Sequence, residues 1–521
     1  FWKMGVASYF RLMFIRKFKN RSGSICVQII SKSSGKYTVV KTIGSSDTNE
    51  HIALLYQQAK HELLKLQKQP SLFISADDIL IESYVTNLQN AQVRTVGPEI
   101  VFGKIYDHIG FNAIKEDLFR HLVIARLAFP LSKLKTTDYL YRYQGVSLGI
   151  DSVYLFLDKL NDRLKEQAEQ IAYRHTLKLL RGKITIVFYD MTTLYFEASD
   201  EDDLRKTGFS KDGKHQQPQI YLGLLVGLGG YAIGYDIFEG NIYEGHTLIP
   251  TIQKFEKKFN LSKPIVVADA GLLSNDNIQL LEKNNYQYIL GARIKNESNT
   301  IKKQILKTSL ADGQSIAIKK NRTTRLIIAY SNKRASKDEH NRKRGLARLK
   351  KSIQSKKLTK AQINNRGYNK YLKMEGDVKI EIDYEKFNED KQWDGLKGYI
   401  TNSKLPSTKI IDNYKNLWQI EKAFRISKTD LRIRPIYHRL RNRIEAHICI
   451  AFAAYAIYKE LERVLYKHKA PFSIKRAAEL THTIYQLNII LPESKHQKNI
   501  GYYSPPSYQD GLKGLSFHSY L

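Results

Sequence analysis

Four side chains that could bind a metal ion and a phosphate together lie in the segment from Tyr414 to Lys428. At about 100° of rotation per helical residue, Tyr414, Glu421, Arg425 and Lys428 fall within roughly 60° of one another. A carboxylate can hold a divalent cation, Arg425 and Lys428 can contact a phosphate, and the hydroxyl of Tyr414 can hydrogen-bond a phosphate oxygen. The pattern equally fits a surface helix with ordinary charge pairs, such as Glu421 with Arg425. Trp418, close to the same face, could lie in the core or serve as a base-stacking platform, and we predict the core.

Two aspartates follow apolar runs that are typical of β-strands. Asp190 ends the run 184–189, and Asp269 ends the run 264–268. An Asp at the carboxyl end of a strand in an α/β sheet faces the crevice where such proteins bind ligands, although either one alone could start a turn. With Glu421 they could hold two Mg²⁺ or Mn²⁺ ions, which promote in-line displacement at a phosphodiester. Paired carboxylates could instead serve a glycosidase, but that chemistry has no use for the cations around Glu421.

The elements between these acids predict how they are positioned. Strands are predicted at 184–189, 219–226, 231–238, 264–268 and 286–292, and helices at 248–259 and 275–284. The order β, β, β, α, β, α, β indicates an α/β layer with a mixed sheet flanked by helices. Residues 295–402 are polar and basic, with four strand-like pieces around a basic helix predicted from Lys333 to Lys373. We interpret them as an insertion before the third acidic residue.

The chain is predicted to contain several units, because its 521 residues exceed one hydrophobic core. The predicted organisation is a basic N-terminal α+β module at 13–109, with a helix from Glu50 to Gln69; a helical region at 110–182; the core sheet at 183–294; the insertion at 295–402; the Glu421 helix and the rest of the core at 403–465; and a tail at 466–521. No element is predicted in the tail beyond Pro492.

The charge balance favours nucleic acid as a partner. The chain carries 84 Lys and Arg against 51 Asp and Glu, a formal net charge of +33. Such an excess attracts polyanions and predicts binding that weakens steeply with salt. A merely basic soluble surface is the simpler alternative. The predicted basic helix, with Tyr368 and Tyr371 interleaved, could be merely solvated, but its one-signed charge favours tracking of a phosphate backbone.

Several other classes of protein and site are disfavoured. Cys26 and Cys449 have no metal-type or disulfide spacing, which fits a reducing cytoplasm. The apolar segment 446–458 is too short to span a bilayer, so we predict a buried helix and no membrane role. The glycine-rich segment 227–232 matches a dinucleotide fingerprint, but a strand follows it instead of the required helix. His215 and His246 are predicted to make loop contacts.

Taken together, these residues resemble the DDE transposases of bacterial insertion sequences. The spacing Tyr414-x2-Leu417-x3-Glu421-x6-Lys428 is similar to the Tyr-x2-Arg-x3-Glu-x6-Lys signature of the insertion-sequence-four superfamily. Supporting strings are YDMTTLYFE from position 189, GLLVGLGGYAIGYDIFEGN from 223 and VVADAGLLSNDNI from 266. One position departs: Leu417 stands where the signature has Arg, so its phosphate contact is missing or comes from elsewhere, such as Arg425.

The resemblance implies an RNase H-like catalytic core and a metal-binding triad of Asp190, Asp269 and Glu421. It also implies that the module at 13–109 binds the DNA ends and that the tail at 466–521 could serve dimerisation. Two transposon ends would pair in a protein dimer, with cut-and-paste transfer and a hairpin on the transposon end. We therefore predict a DNA transposase that uses two Mg²⁺ or Mn²⁺ ions, acts on terminal inverted repeats and target DNA, and works in the bacterial cytoplasm at the nucleoid. A domesticated or decayed transposase that only binds DNA is the first alternative. A metal-dependent nuclease without strand transfer is the second.

Overall fold

The computed structural model describes ten stretches of the chain. They are residues 12–33, 35–66, 93–160, 162–210, 213–272, 274–355, 363–364, 367–375, 379–490 and 497–503. By internal contacts the chain forms two compact units, residues 1–89 and residues 90–521.

The first unit is a small antiparallel sheet with one helix. Its elements are β1 (Leu12–Lys19), β2 (Ile25–Ser33), β3 (Lys36–Ser46) and α1 (Asn49–Leu66). β2 is the middle strand, and alternate residues Val27 and Ile29 face Ile52 and Ala59 of α1. The predicted helix end at Gln69 lies outside the described residues.

The second unit begins with helices. They are α2 (Lys104–Ile109), α3 (Asp117–Ala128), α4 (Lys133–Tyr139), α5 (Ile150–Lys159) and α6 (Asp162–Leu179), after the short strand β4 (Val93–Thr95). This helical region packs around α14 (Arg441–Lys467), whose residues 446–457 are buried. The prediction of a buried helix at 446–458 is confirmed, because α14 has the sheet on one side and helices on the other.

A sheet of eight strands forms the centre of the second unit. Its strands are β5 (Ile186–Tyr195), β6 (Gln219–Gly227), β7 (Ala232–Glu239), β8 (Ile265–Ala268), β9 (Tyr288–Ala292), β10 (Ser315–Lys319), β11 (Arg325–Tyr330) and β14 (Leu396–Thr401). Their spatial order is β10-β11-β14-β9-β8-β5-β6-β7. β5, β6 and β7 are antiparallel neighbours, whereas β8 runs parallel to β5 and β9. The predicted α/β class, a mixed sheet flanked by helices, is confirmed.

The two faces of this sheet carry separate cores because successive strand residues point to opposite sides. On one face, Phe188 packs with α14 and with the helices around residue 421. On the other, Val187 and Tyr189 pack with α7 (Leu248–Phe259) and α8 (Asn275–Lys283). The side of the sheet to which a β5 side chain points therefore decides which helices it packs against.

The insertion adds its strands to the central sheet. β14 pairs antiparallel with β9, and β11 and β10 follow outward. The remaining elements are α9 (Asn299–Lys307), α10 (Asn332–Gln354), β12 (Leu372–Glu375), β13 (Lys379–Ile382) and α11 (Tyr384–Glu389). The prediction of one helix from Lys333 to Lys373 was wrong: α10 ends at Gln354, and Leu372–Glu375 is a strand paired with β13. Residues 356–362 of that prediction lie outside the described part.

The tail contains elements that the sequence pattern did not reveal. They are α15 (Ile474–Thr481), β15 (Ile484–Ile490) and β16 (Gln497–Tyr503). β15 pairs with β16 and with β4, nearly 400 residues earlier in the chain. Such long-range pairing leaves no local signal, and the tail after residue 503 lies outside the described residues. Within the described ranges, no helix combines the length and apolar character needed to cross a bilayer.

Candidate active site

Asp190 and Asp269 occupy matching positions on neighbouring parallel strands. Tyr189 of β5 pairs with Ala268 of β8, so each Asp is the next residue after a paired position. Phe188 and Val267 belong to the core on the α14 face, and the alternation places both aspartates on that same face. Neighbouring strands are about 4.8 Å apart. The two carboxylates are therefore neighbours on one side of the sheet.

The surroundings of the two aspartates differ. The sequence predicted a strand end at Tyr189, but β5 continues to Tyr195 because it stays paired with β6. Asp190 is thus half-buried within β5, at the point where the parallel pairing with β8 ends. Asp269 directly follows β8 and is exposed, and its Oδ1 accepts a hydrogen bond of 2.7 Å from the Gly271 backbone N–H.

Glu421 lies on the helix that covers this face. α12 (Ser407–Lys415) and α13 (Trp418–Arg425) carry the segment around it, and α13 buries Ile420, Ala423 and Phe424 in the core that includes Phe188. Glu421 is in the first turn of α13 and exposed. The helix therefore brings a third carboxylate to the face of Asp190 and Asp269.

The single helical stripe predicted from Tyr414 to Lys428 is interrupted. α12 ends at Lys415, α13 begins at Trp418, and a π-helical turn follows at Ile426–Asp430. Arg425 is exposed in the last turn of α13, and Lys428 is half-buried in the π-helical turn. Their contact with phosphate stays a prediction.

Tyr414 is buried, unlike the other residues of the predicted stripe. Its hydroxyl lies over Gly291 of β9, where any larger residue would put a Cβ atom against it. Burial raises the pKa of Tyr414, and the charges of Asp269 and Glu421 raise it further. Tyr414 therefore lies within electrostatic range of both acids.

The prediction that Trp418 lies in the core was wrong, because Trp418 is 52% exposed. Leu417, which stands where the signature has Arg, is buried instead. Trp418 lies under the ammonium of Lys422, with 5.6 Å from Nζ to the ring centroid. The break before α13 turns Leu417 inward and leaves Trp418 on the outer side.

Lys397 is a residue near the acids that sequence reasoning missed. It lies on β14, half-buried, with its Nζ 4.4 Å from the centroid of the Tyr414 ring. Burial lowers the pKa of Lys397 and nearby Arg334 lowers it too, whereas Asp269 and Glu421 raise it. The only local signal was one Lys in an otherwise uncharged strand. Its position depends on the pairing of β14 with β9, which brings together residues more than a hundred positions apart.

Glu244 is a second residue without a sequence signal. It begins the 3₁₀ turn Glu244–His246. A Cβ atom added to Gly271 would lie 3.9 Å from both Glu244 Oε2 and Asp269 Oδ1. Glu244 is thus a further carboxylate beside Asp269.

A cavity of about 560 Å³ opens beside this site. Ala270, Tyr414 and Lys397 line it on the side of the sheet, and α10 and Trp393 line it on the side of the insertion. Several lining cations are paired with acids: Lys295 with Asp390, Arg342 with Asp394, and Arg334 with Asp338. Lys397 makes no ion pair with any residue that the structure describes. It is therefore a cation available to a bound anion.

The donor chemistry fits a hard divalent cation, but the full triad is not assembled. Asp190 and Asp269 supply carboxylate oxygens from adjacent strands, the ligand type that Mg²⁺ and Mn²⁺ prefer. Among the described residues, no three Asp, Glu, His or Cys side chains come close enough together to hold one metal ion. The structure thus brings two aspartates side by side and Glu421 to the same face, without a common coordination geometry.

The two histidines predicted to make loop contacts do so. His215 Nδ1 accepts a hydrogen bond of 3.3 Å from the Ser210 backbone N–H. His246 is exposed, and its ring meets the Tyr243 ring edge-on at 5.2 Å between centroids. Neither is part of the group of acids.

Comparison with known proteins gives one family match. The family model described as Transposase DDE domain matches residues 181–457, more than half of the chain. The matched range includes Asp190, Asp269, the insertion and Glu421. No curated protein is similar enough in sequence to count as a relative.

Solved structures give only slight likeness. A piggyBac transposase synaptic complex with hairpin DNA has a TM-score of 0.38 at 10% identity, covering 70% of this chain and 69% of that chain. A Mos1 transposase paired-end complex with the left transposon end has a TM-score of 0.15 at 15% identity, covering 30% of this chain and 53% of that chain. A Mos1 mariner paired-end complex with Mn has a TM-score of 0.15 at 10% identity, covering 46% of this chain and 74% of that chain. Scores this low assign nothing to this chain.

Proposed function

We propose that this chain, which belongs to the Transposase DDE domain family, cleaves DNA at the ends of a mobile element and joins the freed 3′-OH to target DNA. One observation carries the proposal. Asp190 and Asp269 follow a matched pair of positions on parallel strands, and α13 brings Glu421 to the same face. Carboxylates gathered on one face beside a cation are the groups that phosphodiester chemistry requires.

Each group in the site has a distinct proposed role. Asp190, Asp269 and Glu421 would hold two Mg²⁺ or Mn²⁺ ions, which supply an activated oxygen nucleophile and stabilise the leaving oxygen when bound. Lys397 would contact the scissile or a neighbouring phosphate in place of the signature Arg, because position 417 is a buried Leu. Arg425, the last residue of α13, and Lys428, in the π-helical turn that follows, would contact the flanking phosphates.

The proposed partners follow from the charge and the family. A net charge of +33 suits double-stranded DNA, both the terminal inverted repeats and the target. We propose a homodimer that pairs two element ends, and a bacterial insertion sequence as the source. The basic helix α10 beside the cavity would follow the phosphate backbone of one strand.

The test is cleavage of a duplex that carries the inverted repeats flanking this reading frame. With Mg²⁺, the wild-type chain should nick at the repeat boundary and join the 3′ end to a target plasmid. Asp190→Asn should reduce cleavage at least about 100-fold, because loss of even an outer-shell metal partner costs about 10- to 100-fold. Binding of the repeat without divalent ions should stay within about twofold.

The matched control is Asp276→Asn, an exposed Asp in the first turn of α8. It should cleave like the wild type. Cleavage by Asp190→Asn at the wild-type rate, or cleavage by the wild type in EDTA, would overturn the assignment. Cleavage without joining would instead favour a nuclease that lacks strand transfer.

A second candidate is a chain that binds element ends without cutting them. It is favoured by the absence, among the described residues, of three acids within reach of one metal ion. This candidate predicts repeat-specific binding in EDTA and no cleavage with Mg²⁺ or Mn²⁺. Any product that depends on divalent ions and on Asp190 excludes it.

A further inference from the structure

A second cavity, of about 430 Å³, lies between the helical region and the loop after α13. It has room for on the order of ten water molecules. Half of its described lining residues are cationic or imidazole side chains: Arg126, Lys133, Lys135, Arg432, Arg434, His438 and His447. No Asp or Glu is among the described residues that line it. The cavity is therefore a pocket of one sign of charge.

Two of these cations are almost fully buried. Arg126 of α3 is 6% exposed and Lys133, the first residue of α4, is 5% exposed. Within the described part of the chain, neither makes a hydrogen bond or an ion pair through its side chain. Burial lowers the pKa of Arg126 to about 10, and burial together with the charge of Arg126 lowers that of Lys133 well below its usual value. The two cations thus repel each other across a shared cavity.

Asp158, an acid whose charge acts on His438 in this cavity, is already paired with another cation. The charge of Asp158 raises the pKa of His438. However, both carboxylate oxygens of Asp158 already accept hydrogen bonds of 2.6 Å from Arg443. His438 has its pKa lowered to about 4, first by burial and then by Lys133, Arg443 and Arg126. His447 is buried, with its Nε2 2.9 Å from the Ile433 carbonyl oxygen. Nothing among these groups neutralises Arg126 and Lys133.

A buried charge without a partner destabilises the folded chain, and a bound ion of opposite charge removes that cost. We propose that this cavity is an anion site that binds a phosphate group, with Arg126 and Lys133 as its buried ligands. Arg supplies a fork of donors that matches phosphate oxygens, and Lys supplies a point charge. Lys135 and Arg432 are exposed at the cavity and would assist entry. The site does not depend on the proposed function.

Two sources could provide the phosphate: a DNA backbone or free orthophosphate. The cavity loop continues directly from the helix of Glu421, and its Ile436 N–H donates to the Tyr195 carbonyl at the end of β5, 3.1 Å away. A DNA strand lying on the candidate active site could therefore reach it. Free phosphate would use the same two cations.

The first experiment measures thermal unfolding of the full chain in sodium phosphate and in sodium chloride at matched ionic strength and pH. A ligand that binds only the folded state raises Tm. At about one hundred times the dissociation constant, phosphate should raise Tm by about 2–4 °C over chloride, as expected for a folded unit of more than 400 residues. Equal Tm values in the two salts, together with the DNA result below, would overturn the proposal.

The decisive variant is Lys133→Met, which keeps the shape and removes the charge. In chloride its Tm should be no lower than that of the wild type, because a buried charge without a partner is lost. Its phosphate shift should fall below about 1 °C. Lys104→Met is the matched control, an exposed Lys on α2, and it should keep the full shift. If Lys133→Met does not fold, Lys135→Met and direct calorimetric titration of the wild type with phosphate take its place.

The second experiment separates the two sources. The affinity for a duplex of arbitrary sequence is measured without divalent ions as a function of NaCl concentration. If a DNA phosphate occupies the site, Lys133→Met should make the slope of log K against log [NaCl] shallower by about 0.9, and Lys104→Met should not. An unchanged slope together with a phosphate-specific Tm shift assigns free phosphate. If phosphate does not raise the Tm of the wild type and Lys133→Met does not change the salt slope, the cavity is not an anion site.

Discussion

The candidate active site and the cation cavity hold charge in opposite ways. In the first, Asp269 and Glu421 are exposed, and Lys397 lies half-buried within range of both. In the second, Arg126 and Lys133 are buried without an acid in the described lining. The carboxylates of the first site can balance its cation, whereas the cations of the cavity would need an anion from outside the chain.

Two lysines make this contrast concrete. Burial lowers the pKa of both Lys397 and Lys133. Around Lys397, the carboxylates of Asp269 and Glu421 oppose that effect, while around Lys133 the neighbour is another cation, Arg126.

The largest expected effect comes from placing the signature Arg at position 417. Leu417 is 6% exposed and belongs to the hydrophobic core. Leu417→Arg should lower the free energy of unfolding by about 3–5 kcal/mol, the cost of an uncompensated buried charge. Urea unfolding followed by circular dichroism measures it.

The neighbouring position provides the control. Trp418 is 52% exposed, so Trp418→Arg should change the free energy of unfolding by no more than about 1 kcal/mol. Equal, small losses for both variants would mean that this helix start accepts a cation. The contrast with the cavity would then fail.

A middle-sized effect is expected at Lys397. Lys397→Met should reduce repeat cleavage about 10- to 100-fold, because a hydrogen bond to a charged group contributes about 1.5–3 kcal/mol. It should also make the salt slope of repeat binding without divalent ions shallower by about 0.9. Gel-shift titrations and cleavage rates provide the two readouts.

Lys397→Arg should keep the salt slope, since it keeps the charge. Lys319→Met, on the outer edge strand β10 and exposed, should behave as the wild type in both assays. A wild-type slope for Lys397→Met would remove Lys397 from the phosphate contacts and leave that role to Arg425 and Lys428.

The smallest effect concerns pH and His438. An unfolded His titrates near pH 6.5, whereas burial and nearby cations hold the pKa of His438 at about 4. Between these values the unfolded chain binds a proton that the folded chain does not, so the free energy of unfolding falls as pH falls from about 6.5 to about 4. Urea unfolding at several pH values in this range should show the decline.

His438→Gln should flatten part of this decline, and phosphate should do the same for the wild type. A phosphate in the cavity would favour the charged imidazole and raise the pKa of His438 toward its ordinary value. A decline that is identical with and without phosphate would argue against an anion next to His438.

Sequence patterns alone determined the core of the fold and the identity of the acids. Strand and helix order from 184 to 292, the insertion strands and the buried helix α14 are strong local signals, because burial on a face repeats every two residues in strands and about every 3.6 in helices. Asp190 and Asp269 stood out since each follows an apolar run. These features need only neighbours in the chain.

Tertiary structure decided everything that depends on distant contacts. The matched register of Asp190 and Asp269 comes from the pairing of β5 with β8, and Lys397 reaches the acids only because β14 pairs with β9. The break before α13 buried Leu417 and exposed Trp418, against a single-helix pattern. The cation cavity joins α3, α4 and a loop 300 residues later, which no local periodicity encodes. Burial and the charges nearby set what each ionisable group can do, and both are properties of the packed chain.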